Sequence, residues 1–133
     1  MKQVILALLV VFSAPSIAAP TKAEAEQWYE EFRAAKDKVF DGLFIEKTNE
    51  HMVLTKQIID LNRQAEKLFG EPLTSPLANC TSSAIGLQAI WSEIADLART
   101  GNLEQRKPAY IASMSWRSGE KYPTCLAEIE KLK

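Results

Sequence analysis

His51 is the only histidine in the chain, so any chemistry that needs an imidazole has to pass through it. As a general base it would require an orienting carboxylate and an accessible cleft, and Glu46, Glu50 and Thr55 lie near it in sequence. As a haem ligand it would require an axial partner, which Met52, Met114 or a second copy of the chain could supply. No Cys-x-x-Cys-His run exists for covalent haem attachment. The simplest reading is a partly exposed helix histidine. Glu30 and Glu31 beside Trp28 and Tyr29 resemble a sugar-binding group. Adjacent helical residues diverge by about 100°, however, so two neighbouring carboxylates cannot flank one glycosidic bond, and a solvated helix face explains them better. Ser82 and Ser83 lack a Gly-x-Ser-x-Gly elbow. Phosphate loops, dinucleotide fingerprints and EF-hand spacing are also missing from the sequence. These readings predict a protein that is not an enzyme, with no catalytic residue, no metal and no cofactor.

The aromatic residues carry more information than the charged ones. Trp28 and Trp91 fall on apolar stripes and read as core. Trp116 does not follow its local stripe, and it lies near Tyr110, Arg117, Lys121 and Tyr122. Trp, Tyr and Arg are enriched where protein partners bind most strongly. Tyr110, Trp116, Arg117 and Tyr122 are therefore the candidate partner-binding residues, against the competing reading that Trp116 packs in the core.

What positions these residues is a chain with a distinctive start. Lys2 precedes the apolar run Val4 to Phe12, and Ser16-Ile17-Ala18 places small residues at the −3 and −1 positions of a cleavage site. The pattern predicts a secretory signal peptide over residues 1–18. The run is shorter than the about 20 residues that a spanning helix needs, and Ser13, Pro15 and Ser16 interrupt it. Cleavage after Ala18 is preferred to cleavage after Ala19, which would put Ile17 at −3 and Pro20 directly after the scissile bond. The expected product is a single helical domain over 19–133, free of any membrane segment. Its expected location is the periplasm, or the medium if the host lacks an outer membrane.

Helical periodicity organises that domain. Thr21-Lys22-Ala23-Glu24 has the form of a capping box, and Trp28, Phe32, Ala35, Val39 and Leu43 share one helical face. Asp41-Gly42 could end this helix or weaken a longer one. A second stripe, Leu54, Ile58, Leu61, Ala65 and Leu68, closes at Gly70 with Pro72 beyond. Ser75-Pro76 reads as a cap and first helical position, followed by Leu77, Ala84, Leu87, Trp91, Ile94 and Ala98 up to Gly101. The last region contains Pro108, Gly119 and Pro123 and predicts a kinked helix or two short ones. No segment alternates as a strand would. The expected fold is all-α, a small up-down antiparallel bundle of about four helical segments.

The cysteines fit that bundle. If the chain turns near Gly101-Asn102, Cys80 and Cys125 lie about 32 and about 35 Å from the turn, at 1.5 Å per residue. They are nearly level, so a Cys80–Cys125 disulfide is expected, and export would supply the oxidising compartment. Composition narrows the function classes further. The 133 residues hold 16 basic and 17 acidic side chains, with a pI near 5.9, which removes the basic footprint of a nucleic-acid binder. The expected function is that of an exported, non-catalytic protein binding another envelope or secreted protein, as an inhibitor, immunity factor or secretion-system accessory does. A homodimer is also possible in this class. The alternative is a periplasmic carrier holding haem or an apolar molecule between its helices.

Overall fold

A computed structural model describes residues 18–41, 48–100 and 123–133, with side chains at 18–39, 49–96 and 123–133. Four helical segments occur among them: α1 (Lys22–Asp41), α2 (Thr48–Phe69), α3 (Ala78–Thr100) and α4 (123–129). The described residues contain no strand. The chain is an all-α bundle closed by one disulfide.

α1 begins where the sequence places its cap. The Thr21 backbone N–H donates to Glu24 Oε2 at 2.9 Å, and the Glu24 N–H donates to Thr21 Oγ1 at 3.3 Å. Each residue satisfies an amide the helix end would otherwise leave bare. The stripe then buries Ala25, Trp28, Phe32, Ala35 and Val39, with Tyr29 beside them. α1 is described as far as Asp41, so the expectations on Gly42 and Leu43 fall outside the described residues.

α2 lies between α1 and α3 and packs antiparallel to both. The start of α1 meets the end of α2, where Trp28 stands edge-on to Phe69 with ring centroids 4.9 Å apart. The start of α2 meets the far half of α3, where the Trp91 indole N–H donates to Thr55 Oγ1 at 2.7 Å. Lower down, Thr81 of α3 reaches the carbonyl of Gly70. Leu54, Ile58, Leu61 and Ala65 are buried as their spacing requires, and the stripe ends on Phe69, with Leu68 only partly buried. Gly70 ends the helix at φ +79°, with its N–H bonded to the Glu66 carbonyl. A left-handed residue is what this kind of helix end requires.

The start of α3 differs from its sequence reading. Ser75 does cap the turn, since Leu77 N–H donates to its Oγ at 3.1 Å. The regular helix begins only at Ala78, because the intervening bonds, Ala78 N–H to Ser75 O and Cys80 N–H to Leu77 O, span three residues and make a tighter turn. α3 then buries two sides. Thr81, Ala84, Leu87, Trp91 and Ile94 join the core with Cys80 and Ile90. Cys80 bonds Cys125 of α4 with Cα atoms 4.6 Å apart, inside the range a disulfide accepts. Asn79 Nδ2 donates to Glu128 Oε1 one turn further along α4. The expected turn at Gly101-Asn102, Ala98 on the third stripe and the kinked region with Pro108 and Gly119 lie outside the described side chains and residues.

Candidate functional site

Several of the described residues singled out for chemistry are engaged in holding the bundle together, while Glu46 and Met114 lie outside the described residues. His51 is half-buried, with its ring 5.1 Å from that of Trp91. Its backbone carbonyl accepts from Thr55 Oγ1 at 2.7 Å, and Thr55 in turn accepts from Trp91. Met52, the neighbouring sulfur, is 60% exposed. Successive helical residues diverge, so His51 and Met52 of one chain cannot serve as opposed axial ligands of one iron. Glu30 and Glu31 are exposed, while Trp28 and Tyr29 are buried at 2% and 6% exposure. The acids and the rings therefore face different surroundings, and no sugar platform forms. The Trp28 indole N–H donates to the Leu61 carbonyl at 3.0 Å, and the ring stacks on Phe32. Ser82 and Ser83 donate to the carbonyls of Pro72 and Asn79. Among the described residues, no three His, Cys, Asp or Glu side chains gather as metal ligands would. Cys80 and Cys125 are joined as the sequence indicated. Tyr110, Trp116, Arg117 and Tyr122 lie outside the described residues.

Among the described residues, two places stand out where the surface departs from a smooth helical bundle. The first is on α2. Met52 and Val53 are 60% and 70% exposed and form an apolar ridge between two shallow grooves. On one side, a groove of about 430 Å³ is lined by Lys38, Asn49, Glu50, Val53, Leu54 and Gln57. On the other, a groove of about 370 Å³ is lined by Met52, Thr55, Lys56, Ile59, Asp60 and Arg63. The centre of this surface is apolar, and the charges Lys38, Glu50, Lys56, Asp60 and Arg63 stand around it. That arrangement of apolar centre and polar rim is how protein interfaces are commonly built. The sequence reading missed it, although a signal was present: Met52 and Val53 fall off the buried stripe that starts at Leu54.

The second place is at the opposite end of the bundle. A cavity of about 790 Å³ opens between residues 18–20, the end of α2, the loop into α3 and the end of α4. Leu68, Phe69, Leu77 and Leu132 supply its apolar wall, and Glu71, Glu128 and Lys131 its charges. Glu128 also has one oxygen, Oε2, buried without a hydrogen-bond partner among the described residues. No stripe in the sequence could have located this cavity, because four separate segments converge to make it. His51 is not among its lining residues, and seventeen positions along α2, about 26 Å at 1.5 Å per residue, separate His51 from Leu68. A haem in this cavity would have no imidazole from the same chain. The ionisation of Glu24 responds to its cap instead. Hydrogen bonds from the Thr21 side chain and backbone hold its pKa below the ordinary value of 4.5, against a small opposing effect of burial. Among the described residues no helix is long and apolar enough to cross a membrane. No protein-family model, curated protein or solved structure matches the chain.

Proposed function

We propose that this is an exported, non-catalytic helical protein that binds another protein of the cell envelope or a secreted effector through the outer face of α2. The observation that carries the reading is the exposed Met52–Val53 ridge with its charged rim. Large apolar side chains on a rigid surface contribute to association by leaving water, and the rim charges select orientation. The leader-like residues 1–18 support export, and the Cys80–Cys125 bond accords with an oxidising compartment.

The test is native mass spectrometry of the processed protein released gently from the periplasm of its host, repeated with Met52→Glu and Val53→Glu. A protein complex present in the parent and lost in both variants, with thermal stability unchanged, supports the proposal. A complex that survives both substitutions places the partner elsewhere and defeats the assignment to α2. The cavity of about 790 Å³ favours a second reading, since its size suits a small ligand. A carrier would leave the periplasm with an organic molecule bound, visible as a mass adduct that the α2 variants retain.

A further inference from the structure

The cavity at the end of the bundle is lined both by Glu128, one of whose carboxylate oxygens is buried without a partner among the described residues, and by the residue at which the leader is expected to be cut. Ala18, Ala19 and Pro20 line it together with Glu128. One oxygen of Glu128 accepts from Asn79, and the other, Oε2, is buried and accepts nothing. A buried, unsatisfied carboxylate oxygen carries a substantial free-energy cost.

We infer that proteolytic maturation supplies the missing partner: the α-ammonium of Ala19, formed when the leader is removed, docks on Glu128 Oε2. This rests on the reading of residues 1–18 as a leader cut after Ala18. An envelope endopeptidase adds water across the Ala18–Ala19 amide. The C–N bond breaks, the water oxygen remains on Ala18 as carboxylate, and the protons leave Ala19 as an ammonium. Before the cut, residue 19 has one amide N–H and no charge. After it, the same nitrogen is a three-proton cation on an exposed residue at the edge of the cavity.

Its surroundings favour Glu128 as the acceptor. The new cation lies two residues ahead of the Thr21 cap, at the positive end of the α1 dipole, where a bare ammonium is disfavoured. Glu24, the acid of that first turn, is already bound to Thr21 through Oε2. Of the other charged groups facing the cavity, Lys131 is a competing cation and Glu71 an exposed acid. Glu128 combines negative charge, a buried free oxygen and a side chain already oriented by Asn79. The pairing would tie the mature amino terminus to α4, which the disulfide joins to α3. Maturation would thus finish the closure of this end of the bundle.

The experiment expresses the full precursor in a Gram-negative host and follows the processed chain by mass and by NMR titration of its α-amino group, in the parent and in Glu128→Gln and Glu71→Gln. A mass two hydrogens below that of reduced 19–133 places the new terminus on Ala19. Any other terminus overturns the leader reading, independently of the pairing. With Ala19 first, the α-ammonium is expected to titrate about one unit higher in the parent than in Glu128→Gln, because a nearby carboxylate favours the charged form. Glu71→Gln should leave the parent value unchanged. Equal titration in the parent and Glu128→Gln overturns the pairing. Should Glu128→Gln fold poorly, the parent alone decides: a nuclear Overhauser contact between the Ala19 methyl and the Glu128 side chain supports the inference, and its absence defeats it.

Discussion

Glu24 and Thr81 show how single side chains set the stability of this bundle. The Thr21 hydrogen bonds to Glu24 lower its pKa in the folded state, so folding favours the ionised carboxylate. Its contribution is fully present above the unfolded-state value near 4.5 and is lost as the pH falls through the lower folded value. The stability gap between the parent and Glu24→Gln should therefore be constant near neutral pH and shrink on acidification, as urea unfolding at a series of pH values would show. A gap that does not shrink in acid would mean the box is not formed in solution. Thr81 is fully buried, and its hydroxyl donates to the Gly70 carbonyl at 2.8 Å. Thr81→Val keeps the shape but leaves that carbonyl without its side-chain donor. A loss of about 1–2 kcal/mol is expected in chemical denaturation. The two contacts were not equally visible beforehand. The capping box could be read directly from Thr21 and Glu24, whereas Thr81 has no local signal, because its acceptor belongs to the loop that follows a different helix.

The elements separate two glycines that look alike in sequence. Gly70 ends α2 in the left-handed region, and a Cβ placed on it would approach the Ser75 Cβ at 3.2 Å. Gly70→Ala should cost about 1–2 kcal/mol from conformation alone. Gly86 lies inside α3, and a Cβ there would meet nothing within 4 Å. Gly86→Ala should instead stabilise the protein by about 1 kcal/mol, the propensity difference in a helix interior. Thermal melts of the two variants should shift in opposite directions, and a shift of the same sign would contradict the assignment of the two backbones. The end of α2 was legible because Gly70 and Pro72 stand just past a regular apolar stripe. The start of α3 was legible only to within one turn. Ser75 and Pro76 announce a helix, but they do not tell a three-residue turn from a four-residue one, and the regular helix waits until Ala78. The α2 ridge escaped for a related reason. Periodicity identifies the residues a helix buries, and Met52 and Val53 matter because they lie off that pattern.

At the scale of the whole molecule, packing order follows from stripes and short connections, and the disulfide from matching two distances along a presumed hairpin. The cavity between the chain start, α2, the α3 entry and α4 had no such one-dimensional signature, so the placing of Ala19 and Glu128 around one cavity became visible only in three dimensions. The same geometry explains why the disulfide matters. α4 contributes few buried side chains, Cys125 and Ile129, with Leu132 just beyond its end partly covered, and a segment with so little apolar area is weakly held by packing alone. The Cys80–Cys125 bond closes a loop with a sequence separation of 45, for which restriction of the unfolded chain is worth about 4 kcal/mol. Replacing both cysteines by Ala should lower the unfolding free energy by about 3–4 kcal/mol. Hydrogen exchange should quicken first at the amides of α4, while Trp28, Phe32 and Phe69, packed between α1 and α2, stay protected. Uniform loss of protection across α1, α2 and α4 would mean that the bond restrains the whole bundle as one cooperative unit. A loss below about 1 kcal/mol would mean that Ile129 and Leu132 hold α4 in place without it.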